Sequence, residues 1–158
     1  MDADKHLLID GSNVLHAWPE LRALLKRDRA AARSRLTERA GALHDAEHLR
    51  VSLVFDGRGP EVVVERPTGS ASFAVVYSPS GLTADDVIEQ MVGQARAPDR
   101  CLVATDDRAE RQTIEAMGAA GLSAADLAAW MDRAEQRQQS RLAERRRANE
   151  KDWRRPPS

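Results

Sequence analysis

The chain has 158 residues, 42% of them hydrophobic, and a formal net charge of −1, which suits one domain with a buried core and is short for two. A single cysteine excludes a disulfide framework and any cysteine-based zinc site. The start Met1-Asp2-Ala3-Asp4-Lys5 lacks the features of a signal peptide, and no stretch is long and apolar enough to span a membrane, so a cytoplasmic protein is expected.

Residues 6–10 read as a short buried strand, followed by a helical region over about 14–47 that breaks near Trp18-Pro19, because proline disfavours helix in the residue before it. Residues 50–55 form a second strand, closed by the turn composition Asp56-Gly57-Arg58-Gly59-Pro60. Two β-branched runs, 61–65 and 72–77, flank Pro67-Thr68-Gly69; they pair as a hairpin or form one short arm and one sheet strand. Residues 83–96 are expected as a helix with Val87, Ile88, Met91, Val92 and Ala95 on one face. A buried strand at 100–105 and a helix at 108–117 follow. From 123 to about 148 the pattern is a long helix, first amphipathic through Leu127, Trp130, Met131 and Ala134, then almost wholly polar. Residues 1–148 are thus expected as one domain, with 149–158 a mobile basic tail. Strands alternating with helices predict an α/β sandwich of three layers, its sheet mostly parallel and helices on both faces.

Carboxylates recur at the ends of these elements. Asp10 closes the first strand in Leu7-Leu8-Ile9-Asp10-Gly11-Ser12-Asn13, Asp56 closes the second, Asp85-Asp86 open a helix, and Asp106-Asp107 follow Cys101-Leu102-Val103-Ala104-Thr105. In open α/β sheets ligands gather at the carboxyl ends of parallel strands. Four acidic stations without a nucleophile motif point to a divalent cation, since hard cations take oxygen ligands. Each acid also has a structural alternative. Asp10 and Asp56 suit turns, Asn13 suits a helix N-cap, Thr83 with Asp86 makes a capping-box pattern, and Asp106 or Asp107 could cap the next helix. Thr105 stands beside the acids and could orient a phosphate or a water. His44 and His48, four residues apart, are expected on a solvated helix face, and Trp18 as a packing anchor.

Charge is unevenly distributed. Residues 133–158 hold nine Lys/Arg against four Asp/Glu, leaving fifteen against twenty-one elsewhere, so a basic tail follows an acidic body. Within the body, Lys26, Arg27, Arg29, Arg33, Arg35 and Arg39 cluster on what should be one helical region. A nucleic-acid backbone is the natural partner for such clusters. Arg33, Arg58, Arg108, Arg145, Arg146 and Arg147 are the candidate RNA-binding residues; a solvated, ion-paired helix face is the alternative for the tail.

Ile9-Asp10-Gly11-Ser12-Asn13-Val14, Ala17-Trp18-Pro19-Glu20-Leu21, Val54-Phe55-Asp56, Thr83-Ala84-Asp85-Asp86 and Val103-Ala104-Thr105-Asp106-Asp107 together resemble the YacP-like branch of the NYN domains, which are PIN-like ribonucleases. The resemblance runs in order from about Leu7 to the long C-terminal helix. It implies a PIN-like sandwich whose acids hold Mg²⁺ or Mn²⁺ for RNA cleavage; single-stranded RNA is the expected substrate, and the basic early and C-terminal helices are expected to guide RNA, or a ribonucleoprotein such as the ribosome, towards the acidic edge. Carried over by position, the metal residues are Asp10, Asp56, Asp85 and Asp107, with Asn13 in the catalytic set and Asp86, Asp106 and Thr105 supporting. The family has a small polar residue where Asp106 stands, which favours Asp107 over Asp106. A monomer acting as an endoribonuclease is expected; the alternative is a non-catalytic RNA- or ribosome-binding module on the same fold.

Overall fold

The structure is a computed structural model and describes residues 4–154. Five strands run parallel or nearly so in register: β1 (His6–Asp10), β2 (Arg50–Phe55), β4 (Phe73–Tyr77), β5 (Cys101–Ala104) and β6 (Ala120–Leu122). A sixth, β3 (Val63–Glu65), pairs antiparallel with β4. The sheet order is β3-β4-β2-β1-β5-β6. The runs at 61–65 and 72–77 therefore make a hairpin whose outer strand is a sheet edge, exposed along its whole length.

The central strands are apolar at nearly every position because both faces are covered, as parallel strands require. Their side chains alternate between two cores. Leu7, Ile9, Leu53, Phe55 and Val75 face one core, with helices α1 (Gly11–Ala17), α2 (Pro19–Arg27), α3 (Arg29–Glu47) and α6 (Ala124–Arg154) over it. Leu8, Val54, Val76 and Val103 face the other, beneath α4 (Ala84–Gln94) and α5 (Arg108–Ala116), which contribute Val87, Ile88 and Ile114. These two helix layers on one sheet give the three-layer α/β sandwich.

Four local expectations are corrected. The region 14–47 is three helices, with a second break at Asp28, which is extended at φ −155 and caps α3 by accepting the Ala31 N–H at 3.1 Å. The basic cluster therefore divides between α2 and α3, and Arg39 leaves it altogether by being buried. Strand β6 lay outside the expected elements because Ala120-Gly121-Leu122 has no β-branched residue; pairing with β5 makes it a strand. The last helix continues to Arg154 instead of ending near residue 148, since no glycine or proline intervenes before Pro156; residues 155–158 lie outside the described part. His44 is not solvated: it is half-buried, its Nε2 bonded with Ser72 Oγ at 2.7 Å and its ring stacked on Phe73, while His48 ends α3 at φ 55.

Helix α6 behaves as two segments. Ala124, Leu127, Met131 and Ala134 are buried at helical spacing, and beyond residue 140 every described side chain is exposed. The docked segment is fastened by Trp18 and Arg39. Trp18 Nε1 donates to the Ala124 carbonyl at 2.8 Å. Arg39 donates to Asp132 at 2.7 Å and Glu135 at 3.2 Å, and its guanidinium lies 5.0 Å from the Trp18 ring centroid. Arg137 pairs with Glu47 one turn further on.

Arg39→Ala should remove charged hydrogen bonds and the cation–π contact together, a loss of about 1–3 kcal/mol. Thermal unfolding followed by circular dichroism should show a Tm lower by roughly 3–10 °C. Arg35→Ala, on the exposed side of the same helix, should change stability by less than about 0.5 kcal/mol. Equal effects from the two substitutions would remove Arg39 as the fastener of α6.

Candidate metal centre

Asp10 ends β1, the strand that separates the two halves of the sheet: β2 and β4 lie on one side, β5 and β6 on the other. Chain segments leaving β1, β2, β4 and β5 all emerge at one edge, where an open α/β sheet places its ligand site. Asp10, Asp56, Asp85 and Asp107 are carried there by four different segments. Two glycines allow the close packing beneath them. A Cβ on Gly11 would lie 2.5 Å from a Phe55 ring carbon and 2.9 Å from the Val54 carbonyl oxygen, and one on Gly57 would lie 2.2 Å from the Ser78 carbonyl oxygen.

The innermost acids are Asp10 and Glu110, both buried. Asp10 caps α1 by accepting the Asn13 N–H at 3.1 Å. Glu110 Oε2 accepts the Thr105 hydroxyl at 2.8 Å, while its Oε1 is buried without a hydrogen-bonding partner. Asp85, Asp107 and Glu110 each present one oxygen such that the three lie within 4.8 Å of one another. Oxygen-only donors at this spacing suit a hard divalent cation, and Glu110, with one carboxylate oxygen unpartnered, retains lone pairs to offer it.

The remaining candidates hold this group in place. Asp107 Oδ1 caps α5 by accepting from Ala109 N at 2.9 Å and Glu110 N at 3.2 Å, so Asp107 and Glu110 are fixed to one helix start. Thr105 accepts the Asp107 N–H at 3.1 Å and thus touches both. Asp56 Oδ1 accepts Ala84 N at 2.7 Å, tying the end of β2 to the start of α4, where Asp85 sits. Asn13 Oδ1 accepts Asp106 N at 2.9 Å, and Asp106 Oδ1 accepts Ala124 N at 2.9 Å. Asp106 therefore holds the start of α6, while its neighbour Asp107 belongs to the acid group. Asp86 completes a capping box with Thr83, accepting the Thr83 N–H at 2.9 Å. Thr83 also donates its hydroxyl to Asp85.

The arginines are dispersed. Arg33 and Arg58 stand beside Asp56, Arg108 is the exposed first residue of α5, and Arg145, Arg146 and Arg147 lie on the undocked part of α6. Glu110 was not among the sequence candidates. It occupies the third turn position after Asp107 and lies one helical turn before the buried Ile114, so an acid on the apolar face of α5 was its available signal.

Burial raises the proton affinity of the two innermost acids. Burial and the adjoining Asp10 carboxyl push Glu110 up to about 9. Burial raises Asp10 as well, opposed by the adjoining Glu110 carboxyl and the Asn13 N–H and reinforced by the charges of Asp85 and Asp56. Glu89 rises through burial and the charges of Asp85, Asp86 and Asp107. Two buried carboxyl groups in contact cannot both ionise, so without a cation a proton is retained between Asp10 and Glu110.

The stability consequence has a definite sign. A group raised from 4.5 to about 9 contributes stability that is complete below 4.5 and is lost as pH rises through about 9. His6 acts oppositely: burial lowers it from 6.5 to about 4, so its contribution is lost only as pH falls below 6.5. In EDTA, Tm should therefore fall as pH rises from 7 to 9, and Glu110→Gln should flatten that decline. An undiminished slope in the variant would show that Glu110 is not the protonated group.

The sequence matches the family model of the YacP-like NYN domain over residues 7–156. The uncharacterized protein YacP of Bacillus subtilis (strain 168) is 29% identical over 137 residues, spanning 86% of this chain and 80% of that protein. The crystal structure of Rae1 (YacP) from Bacillus subtilis superposes with a TM-score of 0.73 at 29% identity, covering 94% of this chain and 84% of that one. Its W164L mutant gives 0.74 at 27% identity, with 89% and 82% covered. The six-stranded, mostly parallel sheet and the long last helix are thus those of a nuclease-type fold, and the chain belongs to the YacP-like NYN domain family.

Proposed function

We propose that the protein is a divalent-cation-dependent endoribonuclease that hydrolyses phosphodiester bonds of single-stranded RNA in the cytoplasm, acting as a monomer and in contact with the ribosome. The observation that carries this reading is the convergence of Asp85, Asp107 and Glu110 beside Asp10 at the carboxyl edge of a nuclease-type sheet. Family membership supports the reaction class. No described helix is long and apolar enough to cross a membrane, and an aqueous compartment accords with that.

Asp10, Asp85, Asp107 and Glu110 would hold Mg²⁺ or Mn²⁺. When bound, the cation supplies Lewis-acid charge that lowers the pKa of a water and stabilises the leaving oxygen. The chain contributes the rest. Asp10 and Glu110 must shed their retained proton for the site to load, so loading strengthens with pH. Thr105 and the α5 N-terminus hold Glu110 and Asp107 against mutual repulsion, and Asn13 and Asp56 fasten the neighbouring loops. The exposed basic half of α6 offers Arg145, Arg146 and Arg147 to a polyanionic partner such as ribosomal RNA.

Asp10→Asn should abolish cleavage of a labelled single-stranded RNA while leaving the melting profile folded, because it removes charge with little change in volume. EDTA should stop the wild type, and Mn²⁺ should restore it. A binding module on the same fold forecasts differently: RNA or ribosome binding with no product under Mg²⁺ or Mn²⁺, even with ribosomes supplied. Wild-type rates from a nuclease-free preparation of the variant would exclude Asp10 from the reaction.

A further inference from the structure

An acidic edge repels the substrate it is meant to cut, so cations must hold the flanking phosphates close to it. Beside Asp56 lies a pocket of about 280 Å³ whose charged wall is Arg29, Arg33, Arg58 and Asp56, with Ser12 and His16 completing its polar lining. It is basic on balance, and Asp56 already commits one oxygen to Ala84 N. Among the described residues, Arg29, Arg33 and Arg58 make no ion pair with a carboxylate. Asp56, and Glu61 and Glu65 in the adjoining cavity, temper the charge of these arginines, yet none pairs with them directly, so their donors are left to an incoming anion.

Arg33 is the built part of this pocket. Its guanidinium carbon lies 5.3 Å from the Phe55 ring centroid and 5.9 Å from that of Tyr77. Nη2 donates to the Asp56 carbonyl at 3.2 Å, while Nε is buried with no partner. The side chain is therefore held rigid by two rings and one hydrogen bond, with a donor left unmet in a low-dielectric setting. A fixed guanidinium loses little entropy on binding. Arg29 and Arg58 are exposed and approach from α3 and from the loop after β2.

The geometry points to a phosphate subsite here: Arg29, Arg33 and Arg58 hold one backbone phosphate of single-stranded RNA next to the bond being cut. The inference rests on the ribonuclease reading for its substrate, and it adds a binding site separate from the acids. The contact is to phosphate oxygens, so it is independent of base sequence. Arginine suits it because its planar fork matches phosphate oxygens bidentately.

The test uses the full chain and a 12-nucleotide fluorescein-labelled oligouridylate, with anisotropy measured in EDTA across a salt series. Arg29→Ala/Arg58→Ala should weaken binding about tenfold or more and reduce the log-log salt slope by up to about 0.7, the contribution of the single phosphate the subsite holds. Arg33→Lys, which keeps the charge but loses the fork, should weaken binding while the protein still unfolds cooperatively, with a somewhat lower Tm from the lost ring and carbonyl contacts. Arg50→Ala/Arg96→Ala removes equal charge near the opposite sheet edge and should have little effect. Equal weakening by that control pair, unchanged binding in the groove pair, or no binding by the wild type at low salt would each overturn the subsite. Cleavage of the same RNA in Mn²⁺ by wild type and Asp10→Asn examines the acid site alone. Failure of the subsite therefore leaves the hydrolase reading testable, and the reverse holds as well.

Discussion

Strand β1 is hydrogen-bonded along both edges, to β2 on one side and β5 on the other, and everything at the functional edge follows from that placement. The three strands run parallel, so their carboxyl ends finish side by side and the residues after them leave in the same direction. Asp10 stands at the centre with Asp56 beside it, while β5 delivers Thr105, Asp106 and Asp107 on its other flank. Helix α4 adds Asp85 because Asp56 holds its first turn by the Ala84 N–H. No acid reaches the site through a long flexible loop.

Such an arrangement concentrates negative charge where burial makes it most costly, and the fold answers by dividing the work among its acids. Asp56, Asp86 and Asp106 each use a carboxylate oxygen to accept a backbone N–H at the start of a helix, where unpaired donors favour an anion. Asp107 does this with one oxygen and stays in the central group through its carboxylate. Asp10 and Glu110 remain as the buried pair, and their elevated proton affinity comes first from burial and then from neighbouring carboxylates, both of which a divalent cation would offset. The local order of the site is thus generated by helix capping, which sets carboxylates in place before any ion is bound.

The opposite helix layer carries a second long-range constraint. Trp18 and Arg39 clamp the first four turns of α6 against α1 and α3, and the helix then continues without a core beneath it. At 31 residues it is about 46 Å long, well beyond what the domain covers. The docked part also matters to the site, because Asp106 caps its start and lies next to Asp107 in the chain. Displacing α6 would therefore loosen the strand end that carries the acids. Its exposed half has no such tie and is free to present arginines outward.

Much of the architecture was legible without coordinates. Apolar strand runs, a proline at residue 19, a capping pattern at 83–86 and recurring acids at strand ends are local signals, and local chemistry accounts for them. The alternation of strands and helices also determines a parallel sheet, hence a common edge for Asp10, Asp85 and Asp107. What remained hidden depends on contacts between distant segments. Asp106 and Asp107 are adjacent and chemically identical; only the position of Ala124 N, eighteen residues on, makes the first a cap of α6. Glu110 looks like a surface acid in a polar helix until packing of Ile114 turns that face inward. Arg39 looked like part of a basic surface until Trp18, Asp132 and Glu135 closed around it. Strand β6 has no intrinsic preference for extension and exists because β5 offers it a free edge. Composition and spacing determine which groups a chain can bring to a site, whereas the pairing of remote backbone and side-chain atoms decides which of them are spent on structure.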